Sequence, residues 1–82
     1  MTIEQSRAGR GLLDWSQSDL AERAGLSEGT VRHFESGLRI PSDDSLRALR
    51  SAMEAGGVEF IPENGGGAGV RLAKRAKAKS KK

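Results

Sequence analysis

Between Ser27 and Arg39 the chain gathers a hydroxyl pair, a carboxylate, two guanidiniums and its single imidazole: Ser27, Glu28, Thr30, Arg32, His33, Ser36 and Arg39. These groups suit two kinds of chemistry, proton transfer or hydrogen-bond recognition. Catalysis finds little support. No hydroxyl–histidine–carboxylate constellation is visible, and His33 has no companions at metal-ligand spacing. The chain has no cysteine, so thiolate metal sites and disulfides are excluded. Asp43 and Asp44 are adjacent, point apart on a helix, and suit the positive end of a helix dipole better than a metal. "NGGGAG" lacks the Lys-Ser/Thr ending of a phosphate-cradling loop and leads into no helix. No enzyme activity, metal or cofactor is expected.

Recognition needs a rigid element to carry the groups, and the sequence supplies one. Thr2 to Leu13 reads as a first helix with a Thr2–Gln5 capping box, anchored by Leu12, Leu13 and Trp15. Ser16 caps a second helix, Gln17 to Ala24, with Asp19 in its first turn. Gly25 suits the left-handed conformation that ends a helix. Leu26 plugs the turn, Ser27 caps a third helix, and Val31 and Phe34 form its buried stripe. Gly37 stops it. Ser42 caps a fourth helix with Leu46, Leu49 and Met53 inward and Gly56-Gly57 at its end. Then the period changes from 3.6 to 2: Val58 and Phe60 flank Glu59, and Val70 and Leu72 flank Arg71, around a glycine-rich connection. This predicts a short β-hairpin or two edge strands.

Two short helices joined at one glycine hold the second at a fixed angle, and an α-helix fits the major groove of double-stranded DNA. Arg32 can donate two hydrogen bonds to guanine and Glu28 can accept one from cytosine. Thr30 can meet a thymine methyl or a phosphate, and His33 can donate or accept. Gly29 can only permit close approach. The plain alternative for Glu28 and Arg32 is a helix-surface ion pair worth about 0.3 kcal/mol.

The stretch "LLDWSQSDLAERAGLSEGTVRHFESGLRIPSDDSLRALRSAME" resembles the DNA-binding domain of the Cro/C1-type (XRE) helix-turn-helix regulators. Gln17, Leu20, Ala21, Gly25, Ser27, Val31, Glu35, Gly37 and Pro41 fall on the family's skeleton. The resemblance implies a mainly α, lambda-repressor-like helix-turn-helix bundle of four to five short helices, with a short C-terminal β-hairpin or strand and a disordered basic tail. It implies that Gln17 bonds a DNA phosphate, and that Ser27, Glu28, Gly29, Thr30, Arg32 and His33 face DNA. Ser36 and Arg39 would touch the backbone, and Arg10 and Glu35 would form a structural ion pair. The chain departs from the family at Ser6, where an aliphatic residue is usual and packing should weaken. It also departs at Gly9 and Gly11, which cost helix stability, and at Gly29, which replaces a base-reading side chain.

Length and charge frame this reading. The 82 residues carry a net charge of +3, but residues 71 to 82 hold seven of the fourteen basic residues and no acid, leaving residues 1 to 70 at −4. The expected organisation is a helix-turn-helix domain over 1–57, a strand extension over 58–72 and a basic tail over 73–82 that attracts phosphate without reading sequence. No membrane segment is expected, and the default location is the cytoplasm, on the nucleoid when DNA-bound. The leading expectation is a DNA-binding transcriptional regulator acting as a homodimer, with Val58, Phe60, Val70 and Leu72 as dimerisation surface and helix four as the other candidate face. The alternative is a protein-interaction module, an antitoxin or sequestering regulator, using the same four residues as its adhesive surface. A third reading is a non-specific nucleic-acid packaging protein driven by the tail.

Overall fold

The computed structural model describes residues 1–73, and the basic tail anticipated from the sequence lies outside them apart from Ala73. Four helices, α1 (Ile3–Leu13), α2 (Gln17–Ala24), α3 (Glu28–Glu35) and α4 (Asp43–Ala55), precede two strands, β1 (Val58–Ile61) and β2 (Gly69–Leu72). The strands pair antiparallel, with Val58 opposite Leu72 and Phe60 opposite Val70. The fold is the mainly helical helix-turn-helix bundle with a C-terminal hairpin that the sequence implies.

Local chemistry sets the element ends. Thr2 and Gln5 close a capping box on α1, and Ser16 and Asp19 close another on α2. Ser27 caps α3 and Ser42 caps α4. Gly25 takes φ +74° at the end of α2, a conformation that costs a side-chain-bearing residue about 1 kcal/mol or more. It lets the chain reverse within two residues into α3. Leu20, Ala21, Val31, Phe34, Leu49, Met53, Val58 and Phe60 form the core, with Leu13, Trp15, Leu26 and Leu46 packed against it. Leu12, expected as an anchor, is instead 41% exposed. The stripe of α1 that faces inward holds Gln5, Ser6 and Gly9, so the helix presents small and polar residues to the core.

That composition has two causes. Gly9 lies where a Cβ would sit 2.7 Å from Met53 Sδ and 3.8 Å from Val58 Cγ1. Its missing side chain lets α1 press onto α4 and β1. Ser6 is fully buried and donates to Glu35 Oε2 at 2.5 Å. The polar residue at this position does not loosen the packing as expected; it satisfies a buried carboxylate. Glu35 also accepts from Arg10 Nε at 3.0 Å, Arg10 Nη2 at 2.7 Å and Gln17 Nε2 at 3.2 Å. Arg10 in turn donates to the Trp15 carbonyl at 3.0 Å. One carboxylate therefore bonds α1, α2 and α3 together. Its side chain is 3% exposed and that of Arg10 20%.

The hairpin is held by a similar economy. The Gln5 side-chain oxygen accepts from Thr2 N in the capping box at 2.9 Å. Its amide nitrogen donates to the carbonyls of Ile61 at 3.2 Å and Gly69 at 3.0 Å. Val58 and Phe60 face this interior and are 3% and 9% exposed. As a dimerisation or adhesive surface, these two residues are ruled out: they belong to the monomer's own core, since period-2 alternation marks a buried face without saying what buries it. Val70 is half-buried and Leu72 is 43% exposed.

The two glycines of α1 should respond to alanine in opposite directions. A methyl on Gly11 would meet nothing within 4 Å, so Gly11→Ala should stabilise by about 0.5–1 kcal/mol through helix propensity alone. Gly9→Ala gains the same propensity but overpacks Met53, and urea denaturation should show a net loss of up to about 2 kcal/mol. For Glu35, burial pushes its pKa up, but the hydrogen bonds from Arg10, Ser6 and Gln17 and the charge of Arg10 outweigh it and hold the carboxyl below its usual value. A depressed native pKa gives stability that is complete above the ordinary glutamate value of about 4.3 and is lost as pH falls through the native one. Glu35→Gln should cost about 2–3 kcal/mol at pH 7. The gap between parent and variant, followed by chemical denaturation, should hold down to about pH 5 and close below about pH 4.

Candidate nucleic-acid interface

The inner side of α3 carries Val31, Phe34 and Glu35, all buried. Helical periodicity then turns the remaining side chains outward. Glu28 and Arg32 are exposed, and Gly29, Thr30 and His33 are half-buried along the flank facing the α3–α4 loop. Ser27, at the exposed N-cap, accepts from Thr30 N at 3.2 Å, and its hydroxyl lies 2.9 Å from Thr30 Oγ1. The structure thus brings six of the sequence-predicted residues, Ser27, Glu28, Gly29, Thr30, Arg32 and His33, onto one helix and its cap.

The pairing expected as the plain alternative is present in weak form. Arg32 Nη1 stands 3.6 Å from Glu28 Oε2, and both side chains are about half exposed, at 54% and 53%. A pair this long and this wet contributes little, so either partner can exchange it for a base edge at small cost. Gly29 is not demanded by the fold: a Cβ there meets only Arg32 Nη2 at 3.6 Å and Ser27 Oγ at 3.9 Å, ordinary contact distances.

The flanking residues divide. Ser36 donates its hydroxyl to the His33 carbonyl at 3.1 Å and accepts from Leu38 N at 3.4 Å, so it shapes the exit of α3. Arg39 is exposed. It lines a groove between α3 and the N-terminus of α4, with Thr30, His33, Ile40, Ser42 and Ser45 among the walls. Gln17 sits across the bihelical corner, at the start of α2. Its amide nitrogen has two hydrogens; one goes to Glu35, which orients the side chain and leaves the other for an acceptor. Arg10 and Glu35 meet beneath this surface at 2.7 Å.

Charge pairing elsewhere sharpens the face. Arg47 bonds Asp44, Arg50 bonds Glu54 and Arg71 bonds Glu59, at 3.0, 2.9 and 2.6 Å. Arg23 lies over the Trp15 ring. Among the described residues, Arg39 and Arg7 have no carboxylate within ion-pair distance. The positive charge left uncompensated near α3 is therefore Arg39, with Arg32 only loosely paired.

Sequence reasoning missed Leu38 and Ile40, which stand 70% and 84% exposed on the α3–α4 loop. Neither belongs to a helical stripe or an alternating strand, so periodicity had no hold on them. Among the described residues no cluster of His, Cys, Asp or Glu is arranged to hold a metal, and no helix is long and apolar enough to cross a membrane.

The helix-turn-helix family model matches residues 7–58, more than half of the chain and every helix except the first turn of α1. A comparison with curated proteins finds no match. On that match, and on a bihelical corner that offers one hydrogen-bonding face outward, the chain belongs to the Cro/C1-type (XRE) family of DNA-binding helix-turn-helix regulators.

Proposed function

We propose that this protein is a sequence-specific transcriptional regulator, a repressor or autoregulator, that binds an inverted-repeat operator as a homodimer through the helix spanning residues 27–36. The observation that carries the reading is the outward face of α3, where Arg32 is held only by a 3.6 Å exposed contact while most other arginines are engaged by carboxylates or by an aromatic ring. In this reading Arg32 donates to guanine, Glu28 accepts from cytosine, and Thr30 and His33 meet the neighbouring bases. Gln17 and Arg39 grip the phosphates on either side of the groove, with the N-terminus of α2 aimed at the same backbone as Gln17. Eight helical residues read only a few base pairs. Two copies across a dyad double the site, with half-site centres about 34 Å apart.

Burial of Val58 and Phe60 weakens the antitoxin reading, because it takes away half of the surface on which that reading stood. The packaging reading depends on the tail, outside the described residues.

Selection of bound sites from a random DNA pool should return a motif with twofold symmetry; an asymmetric motif or none would overturn the reading. On the selected site, Arg32→Ala should cost about 1–3 kcal/mol and relax the preference at one position, with little loss on scrambled DNA. Equal loss on both would remove its base-reading role. Gly29→Ala separates fold from recognition. It should leave the monomer at least as stable, by helix propensity, yet weaken operator binding measured by fluorescence anisotropy, because the added methyl stands between α3 and the floor of the groove.

A further inference from the structure

The hairpin has one edge whose chemistry the fold does not use. Ala73 N donates to the Gly57 carbonyl at 2.7 Å, continuing the ladder in which Val58 faces Leu72. Bonded and non-bonded pairs alternate along an antiparallel ladder. Gly57–Ala73, Glu59–Arg71 and Ile61–Gly69 are therefore the bonded pairs. Val70 and Leu72 turn their N–H and C=O groups away from β1, and among the described residues no helix or loop backbone meets them. The edge offers two donors and two acceptors in alternation, the condition under which a strand recruits another.

Apolar surface gathers at the same edge. Gln5 of α1 bonds Gly69, and Gly9 stands against Val58, the partner of Leu72. From Gln5 to Gly9 the helix thus advances from the Gly69 end of β2 toward the Leu72 end, and Leu12 continues the same way. Leu12 and Leu72, at 41% and 43% exposure, are two of the four most exposed large hydrophobics among the described residues. The other two, Leu38 and Ile40, lie at the end of α3.

We propose that β2 is the seam of the homodimer, pairing antiparallel with β2 of a second copy about a twofold axis at Arg71. This register uses every free group of the edge: Val70 bonds Leu72 of the second copy, and Leu72 bonds its Val70. Within the described strand, an axis through Val70 or through Leu72 leaves the other residue's groups without a described partner. On the core side, Val70 and Leu72 face each other twice across the axis, the aliphatic pairing that favours adjacent strands. On the solvent side, two Arg71 side chains come together. Each brings its own carboxylate, Glu59 at 2.6 Å, so the four-stranded sheet carries a charge-balanced row of Glu, Arg, Arg and Glu. The seam is small beside a standard interface of about 1,600 Å². The free protein is thus a weak dimer that an inverted repeat consolidates by holding both copies at high effective concentration. That consolidation rests on the DNA-binding reading; the seam itself does not.

The chain has no cysteine, so Arg71→Cys introduces a single thiol at the axis. Facing residues of a non-bonded pair have Cα atoms about 4.5 Å apart, within reach of a disulfide. Mild oxidation of the purified full chain should give a covalent dimer on a non-reducing gel. Glu59→Cys, three strand spacings or about 14 Å from its twin, should not. Val70→Pro removes only an outward N–H, a substitution an edge strand tolerates. It should retain the parent's circular dichroism while raising the dimer dissociation constant at least tenfold by sedimentation equilibrium. A folded Arg71→Cys protein that cross-links no more than Glu59→Cys, or a Val70→Pro protein that dimerises like the parent, would overturn the seam. A two-to-one complex on an inverted repeat without the cross-link would sink the seam and spare the DNA reading; cross-linking without any DNA binding would do the reverse.

Discussion

A carboxylate removed from water must be given donors, and Glu35 takes all of its donors from other helices. Ser6 and Arg10 come from α1 and Gln17 from α2. Apolar packing is non-directional and tolerates a sliding helix; a buried acid with four hydrogen bonds does not. Once Glu35 is turned inward beside Val31 and Phe34, the rotation of α3 about its axis is settled, and Glu28, Arg32 and the flank of Thr30 and His33 face out. The ion pair need not add much net stability, since desolvation consumes most of the attraction. Its effect is geometric: an apolar substitute of equal volume could hold the three helices together without fixing which face of α3 is presented.

The acidic body of the protein poses an electrostatic problem for binding a polyanion. Residues 1 to 70 sum to −4. The structure reduces this to a local question, because exposed charges more than about 10 Å apart are largely screened at moderate ionic strength. Asp44, Glu54 and Glu59 are each neutralised by an arginine on the same or the neighbouring element. Asp19 is spent on capping α2, and its bonds to Ser16 hold its carboxyl below the usual value. What remains near α3 is the charge of Arg39 and the loosely held Arg32, on the side of the molecule where a helix N-terminus at Gln17 adds a fraction of positive charge.

Much of this was legible because it is written in short-range rules. Caps at Thr2, Ser16, Ser27 and Ser42, the turn at Gly25, and the shift from period 3.6 to period 2 after Gly57 each depend on a few neighbouring residues, and each element stands where those rules place it. Ser6, Gly9 and Gln5 were not legible. Their roles depend on partners 25 to 64 residues away, and locally they look like weak helix formers. Ser6 reads as a packing defect until Glu35 is seen beside it, and Gly9 as a helix breaker until Met53 is. Val58 and Phe60 failed differently: their alternation was read correctly as a sided strand, but alternation cannot tell a face covered by the chain's own helices from one awaiting a partner.

Gln5 connects these two halves of the molecule. One amide closes the cap of α1 with its oxygen and grips both strands of the hairpin with its nitrogen. One turn and more along the same helix, Ser6 and Arg10 grip Glu35 at the end of α3. The path from hairpin to recognition helix therefore runs through a single rigid element with specific polar bonds at each end, and no flexible linker intervenes. If β2 is where two copies meet, the separation and tilt of the two α3 helices are set by α1, and a change at Gln5 would alter the spacing of the half-sites while leaving the bases that each helix reads untouched.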